Sequence, residues 1–181
     1  PFRYTYYDDN SPATAKTNGE NKAAQSILPG IFVQDEIKLN EKLSTLAGLR
    51  YDYNNEHGKI FTPRLSFKYA QDANNTLRIS GGNGYRVVNL FTEDHAALTG
   101  AREVVIAAAL QPEKSWNGNI NYTKILRHGS GFINLDGSVF YTYFTNKIIG
   151  DYFTDPGKII YDNLDGYAVS RGITVNTDAS F

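Results

Sequence analysis

The feature that most constrains this chain is an alternation of apolar and polar residues with a period of two, sustained over segments of about twelve residues. It is cleanest at 61–69, where Phe61, Pro63, Leu65, Phe67 and Tyr69 alternate without exception with Thr62, Arg64, Ser66 and Lys68. Successive strand side chains point to opposite faces, so such a segment is a strand with one apolar face. The same alternation places Ile31, Val33, Ile37 and Leu39 against Gln34, Glu36 and Lys38, with Asp35 as its one defect. It places Leu43, Ala47, Leu49, Tyr51 and Tyr53 against Ser44, Arg50 and Asp52. Further strands are expected at 76–88, 116–123, 133–143, 159–162 and 167–177, and one more at the start (FRYTYY), about nine in all. Pro63 has no N–H to donate and belongs at a strand end or a gap in the ladder.

The glycines of RISGGNGYRVVN (78–89) could suggest a phosphate cradle. Their spacing fits neither phosphate-binding pattern, and no helix start follows; Tyr85-Arg86-Val87-Val88 favours an extended chain. Gly81, Gly82 and Gly84 are therefore expected within a strand, permitting a bulge or the close approach of a neighbour.

The expected connections alternate in length. Tight turns fall at 40–42, 72–75 and 127–131, and longer connections at 8–26, 54–59, 89–113 and 148–158. In an up-and-down antiparallel array, alternate connections share a rim, so one rim carries turns and the other loops. Outer-membrane barrels are built this way, whereas Greek-key sandwiches have no reason to be. Twelve residues at about 3.3 Å, tilted by about 40°, cover an apolar band of about 25 Å. Mean hydropathy of −0.42 does not argue against this, because a spanning strand is polar at every second position.

Composition narrows the function classes. A net charge of −1 with scattered Lys and Arg gives no footprint for nucleic acid, and the lack of cysteine removes disulfides, thiolate metal sites and thiol nucleophiles. Asp35 and Glu36 point to opposite faces and cannot act as an acid and base pair; no Ser/His/Asp order stands out, so the chain does not read as an enzyme.

Five pieces in order resemble the barrel portion of a TonB-dependent outer-membrane receptor. They are Q-D-E (Gln34, Asp35, Glu36), G-L-R-Y-D (Gly48 to Asp52), P-R-L-S (Pro63 to Ser66), G-x-G-Y-R (Gly82 to Arg86) and P-E-x-S-x-N (Pro112, Glu113, Ser115, Asn117). The resemblance spans 29–126, and 131–177 continues in the same style. It implies an all-β fold: residues 1–181 as one partial outer-membrane β-barrel domain, an antiparallel up-and-down meander with long outer loops near 8–26 and 89–113 and the plug domain absent. It also implies import of a scarce ligand, by family default a ferric siderophore or similar metal chelate or cofactor, with an oligosaccharide as another option. The location implied is the outer membrane of a Gram-negative bacterium. The partners implied are its lipid, the small-molecule ligand and an inner-membrane energising complex acting through the plug.

Candidate site residues follow from this placement. The loop 89–113 is the ligand-facing element, with Arg86 and Arg102 able to attract an anionic chelate. Glu93, Asp94 and His95 are adjacent polar loop residues that could meet the ligand, but no resident metal or cofactor is expected. Arg50, Arg64, Lys68 and Arg78 belong to the lumen wall, Arg64 and Arg78 in a charge ladder with acidic neighbours. Trp116 could stack a sugar or anchor at an interface. The alternatives are a soluble β-sandwich that binds carbohydrate and a complete small barrel. A piece of barrel alone is expected to self-associate, because open edges and apolar faces invite pairing.

Overall fold

In a computed structural model, which describes residues 1–7, 24–87, 102–106 and 110–180, the alternating segments become long antiparallel strands. Eight of them form one sheet in the order β1 (Phe2–Tyr7), β2 (Ala24–Lys38), β3 (Leu43–Asn54), β4 (Gly58–Asp72), β5 (Asn75–Arg86), β7 (Glu113–His128), β8 (Gly131–Asn146) and β11 (Ala168–Ser180). Each pairs with the next in a meander, and β1 and β11 are its edges. Strands β2 to β5, β7 and β8 run to 12–16 residues, well beyond the usual five or six.

The register confirms that the alternation is shared across strands. One row of paired residues reads Ile37, Thr45, Phe67, Ile79, Ile120, Val139 and Ile173. The neighbouring row on the opposite face reads Lys38, Ser44, Lys68, Arg78, Asn121, Ser138 and Thr174. The apolar face is not covered: Ile31 is 71% exposed, Ile120 50% and Ile173 76%. A sandwich would bury these residues under a second sheet about 10 Å away, and none packs there among the described residues. The β-sandwich alternative is thereby overturned.

The short turns are staggered. The β2–β3 pairing ends at Lys38–Ser44, three residues beyond Asp35–Ala47. In the same register row, the β4–β5 pairing ends at Asp72–Asn75, seven residues beyond Leu65 on β4. The β7–β8 pairing ends at His128–Gly131, ten residues beyond Gly118–Tyr141. A drift of this size against a strand spacing of about 4.8 Å corresponds to a tilt of roughly 45–50°, close to that of a membrane-spanning strand.

Several expectations need correction. Among the described residues there are eleven strands, not about nine, because the two last long connections carry structure of their own. Strand β6 (Glu103–Ile106) lies inside the expected loop 89–113, and β9 (Ile148–Asp151) inside 148–158. The strand expected at 159–162 exists as β10 (Lys158–Asn163) but leaves the meander, joining β6 and β9 in a separate three-stranded sheet. The 54–59 connection is a tight turn: buried Asn54 accepts from the Glu56 and His57 amides, each at 2.9 Å, and Gly58 closes it at φ 73°. The glycines of β5 sit in regular pairing without a bulge. Gly82 does serve close approach, since a Cβ there would lie 2.8 Å from the Pro63 carbonyl oxygen. Pro63 falls where the β4–β5 register ends at Arg64–Gly82, at the expected gap in that ladder.

Candidate ligand-binding surface

Two places concentrate polar chemistry. The first is the polar face of β3, β4 and β5, which carries a cavity of about 590 Å³ lined by Phe32, Arg50, Asp52, Thr62, Arg64 and Asn117 among others. Its room comes from glycine. The row that crosses it reads Gln34, Gly48, Arg64, Gly82 and Asn117, so Arg64 stands between two residues without side chains. Arg50 is committed locally, donating to both oxygens of buried Asp52 at 2.6 and 2.8 Å. Arg64 forms no ion pair among the described residues, which leaves its guanidinium to the cavity.

The expected charge ladder therefore fails at Arg64. Arg78 takes part in a looser version: its guanidinium donates to Asn121 Oδ1 at 3.4 Å, while Asn121 Nδ2 donates to the two oxygens of Asp136 at 3.1 and 3.0 Å. Lys68 sits directly opposite Arg78, so this row is net positive. All four residues expected on the lumen wall (Arg50, Arg64, Lys68, Arg78) share the polar face.

The second place is the rim of long connections. Here β6 pairs in parallel with β10, Glu103 to Lys158 through Ile106 to Tyr161, and β10 pairs antiparallel with β9. Ile159 and Tyr161, each 2% exposed, form its core with Val104, Leu110, Ile148 and Tyr152. Gln111 and Asn163 exchange amide hydrogen bonds at 2.7 and 2.9 Å, and Arg102 donates to the Tyr152 carbonyl at 3.1 Å. Asp151 closes the β9 end by accepting from the Phe153 and Thr154 amides and the Thr154 hydroxyl. These donors hold its carboxyl below the usual carboxylate range, the Thr154 hydroxyl contributing most.

Glu113 joins this small sheet to the barrel wall. Its carboxylate, 6% exposed, accepts from Lys147 Nζ at 3.0 Å and the Ile148 amide at 3.2 Å, and pairs with Arg86 at 3.0 Å. The sequence marks Glu113 only as part of the P-E-x-S-x-N piece; nothing in its spacing announces three partners. The β-branched runs Val104-Val105-Ile106 and Ile159-Ile160 are a signal that could have revealed the extra sheet.

Arg86 and Arg102 thus lie at the same rim, one at the end of β5 and one beside β6. Glu93, Asp94 and His95 lie outside the described residues. Trp116 stands on the apolar face, 55% exposed and paired with Tyr143, which suits an interfacial anchor rather than sugar stacking in the cavity. No cluster of His, Asp or Glu suited to a metal occurs among the described residues.

The family described as TonB dependent receptor-like, beta-barrel matches residues 1–181. The chain belongs to this family of TonB-dependent receptor barrels. Its fold is that of solved siderophore receptors. A mutant of the ferric enterobactin receptor PfeA of Pseudomonas aeruginosa, in complex with enterobactin, superposes with a TM-score of 0.69 at 19% identity, covering 96% of this chain and 29% of that one. The siderophore receptor PirA of Pseudomonas aeruginosa gives 0.68 at 18% identity over 92% and 33%. PirA of Acinetobacter baumannii gives 0.67 at 14% identity over 95% and 30%. The chain therefore spans about a third of the length of these receptors. No curated protein matches it in sequence. The TonB-dependent receptor barrels are a receptor family, not an enzyme family.

Proposed function

We propose that this chain is the wall and part of the ligand-capturing rim of an outer-membrane receptor that imports a scarce anionic metal chelate, of the ferric siderophore kind. The observation that carries the reading is the inversion of the sheet, with an uncovered apolar face for lipid and a polar face holding a cavity around Arg64. The rim of long connections is then outside the cell and the short turns face the periplasm. Siderophore receptors share this fold, which favours a ferric chelate over another cofactor or an oligosaccharide.

In this reading Arg86, Arg102 and the 89–113 connection with Glu93, Asp94 and His95 meet the ligand outside. Arg50, Arg64, Lys68 and Arg78 line the path inward, giving a positive surface that attracts an anion. A plug outside this chain fills the lumen and couples uptake to an inner-membrane energising complex.

The test is uptake of iron-55 supplied as ferric enterobactin by Gram-negative cells producing the full-length receptor, with and without Arg64→Ala. Energy-dependent uptake that falls about tenfold in the variant at equal surface abundance is expected, a loss of roughly 1.4 kcal/mol. A correctly assembled receptor that takes up no ferric chelate would reject the ligand assignment.

A further inference from the structure

We infer that the wall opens between β4 and β5 and takes a single aliphatic chain of the ligand there. The receptor then accepts amphiphilic anionic chelates, with the charged head at Arg64 and the chain threaded outward between the two strands. The opening begins at Pro63. The β4–β5 pairing ends at Arg64–Gly82, yet both strands run on, β4 to Gly58 in register with β3 and β5 to Arg86 in register with β7. Phe61 turns its carbonyl toward β5, where the Asn83 side chain donates to it at 3.0 Å, so by parity Pro63 turns toward β5 as well. Its missing N–H falls in this ladder, and the Pro63–Asn83 and Phe61–Tyr85 pairs go unmade among the described residues.

The opening lies where a wall tolerates one. Pro63 stands nine residues along β4 from Asp72, about 20 Å along the membrane normal at the tilt given by the turns. The unmade Phe61–Tyr85 pair, two residues further on, stands at about 25 Å, level with the outer interface, where water reaches unpaired backbone groups as hydrocarbon does not. The Asn83 side chain ties the two edges at the foot of the opening, and its other end is unmet: Asn83 Oδ1 is buried without a partner among the described residues. One neutral hydrogen bond beside an unsatisfied acceptor is a weak closure.

What the opening leads to selects the occupant. Pro63, Asn83 and Tyr85 line the same cavity of about 590 Å³ as Arg64. Phe32, Leu49 and Ile60 add apolar surface to it. Arg50 is held by Asp52, so the guanidinium left for an anion is that of Arg64, beside Gly82 where the pairing stops. A small hydrophilic anion would use Arg64 and leave the apolar lining wet. An anion carrying an aliphatic chain uses both, and each methylene buried adds affinity.

The inference rests on the anionic-chelate reading proposed above, and the test separates the two. The full-length receptor in nanodiscs would be titrated with ferric enterobactin, with ferric enterobactin carrying one dodecyl chain, and with dodecanoate, each corrected for partition into empty nanodiscs. Wild type is expected to bind the chain-bearing chelate at least about tenfold more tightly than the bare one. Pro63→Val, which restores the missing donor and lets the ladder close, is expected to lose that preference, and Gly118→Ala to keep it. In wild type the chain-bearing chelate alone is expected to slow hydrogen exchange at the Phe61 and Tyr85 amides, a readout that needs no variant. Equal affinity of wild type for the two chelates would overturn the chain site and leave the chelate reading standing. An undiminished preference in Pro63→Val, with its Phe61 and Tyr85 amides newly protected, would overturn the site too. Dodecanoate bound as tightly as the chain-bearing chelate would overturn the chelate as occupant in favour of a fatty acid. Binding of neither chelate by inserted wild type would overturn the chelate reading and the chain site with it.

Discussion

Arg102 donates to the backbone carbonyl of Tyr152 at 3.1 Å, linking two connections fifty residues apart in the chain. With the β6–β10 pairing, this contact makes two long connections into a single folded unit. Truncating its core should therefore unfold the unit and leave the barrel standing. Ile159→Ala is expected to weaken the unit by about 2–4 kcal/mol through the lost contacts and the cavity left behind. Hydrogen exchange of the full-length receptor should show faster exchange at 102–106 and 148–163 and unchanged protection in β3, β4 and β7.

Glu113 predicts a second dependence. Glu113→Ala leaves Lys147 and the Ile148 amide without their acceptor in a site only partly open to water, so the hinge between the unit and the wall should loosen by about 1–3 kcal/mol. Because Lys147 and Arg86 are substantially exposed, water compensates part of the loss. Exchange at the Ile148 amide should accelerate more than that at Tyr161. The opposite order would mean that Glu113 does not anchor the unit.

The same unit should be sensitive to acid. The Asp151 carboxyl is held below its ordinary range, chiefly by the Thr154 hydroxyl and then by the Phe153 and Thr154 amides. A carboxylate whose pKa is depressed on folding adds stability that is present above its unfolded pKa, near 3.9, and is lost as pH falls through the lower folded value. Protection of the Phe153 and Thr154 amides should be flat above about pH 5 and decline below about pH 4. Asp151→Asn should abolish that decline.

Glycines on the sheet should differ in what they tolerate. At Gly82 an added Cβ would meet the rigid Pro63 carbonyl at 2.8 Å, whereas at Gly118 it would meet nothing within 4 Å. Gly82→Ala is expected to destabilise the β4–β5 pairing by about 1–3 kcal/mol and to narrow the cavity beside Arg64. Gly118→Ala should stay within about 0.5 kcal/mol of wild type. Urea titration of the receptor in detergent micelles measures both.

The barrel wall was legible because a strand with one apolar face repeats its signal at every second residue, and Phe61 to Tyr69 does so without a break. The long excursions were not, because β6 and β9 have only four residues each, too few to show a period, and β6 finds its partner β10 only across two long intervening strands. The polar-face positions of Arg50, Arg64, Lys68 and Arg78 followed from parity alone. Their partners did not: that Arg50 takes Asp52 while Arg64 stands between Gly48 and Gly82 depends on cross-strand register, which turn lengths and bulges set. The 54–59 turn was overestimated because its polar composition resembles a loop, whereas Asn54 folds its amides inward.

The parallel pairing of β6 with β10 also constrains how such receptors could exchange recognition surfaces. A graft of the 102–106 segment alone into another barrel would arrive without the strand that buries Val104, and a graft of 148–163 alone would bring Ile159 and Tyr161 to the surface as a greasy flap. The two segments, though separated by the two longest strands of the chain, are one heritable module and must be transplanted together.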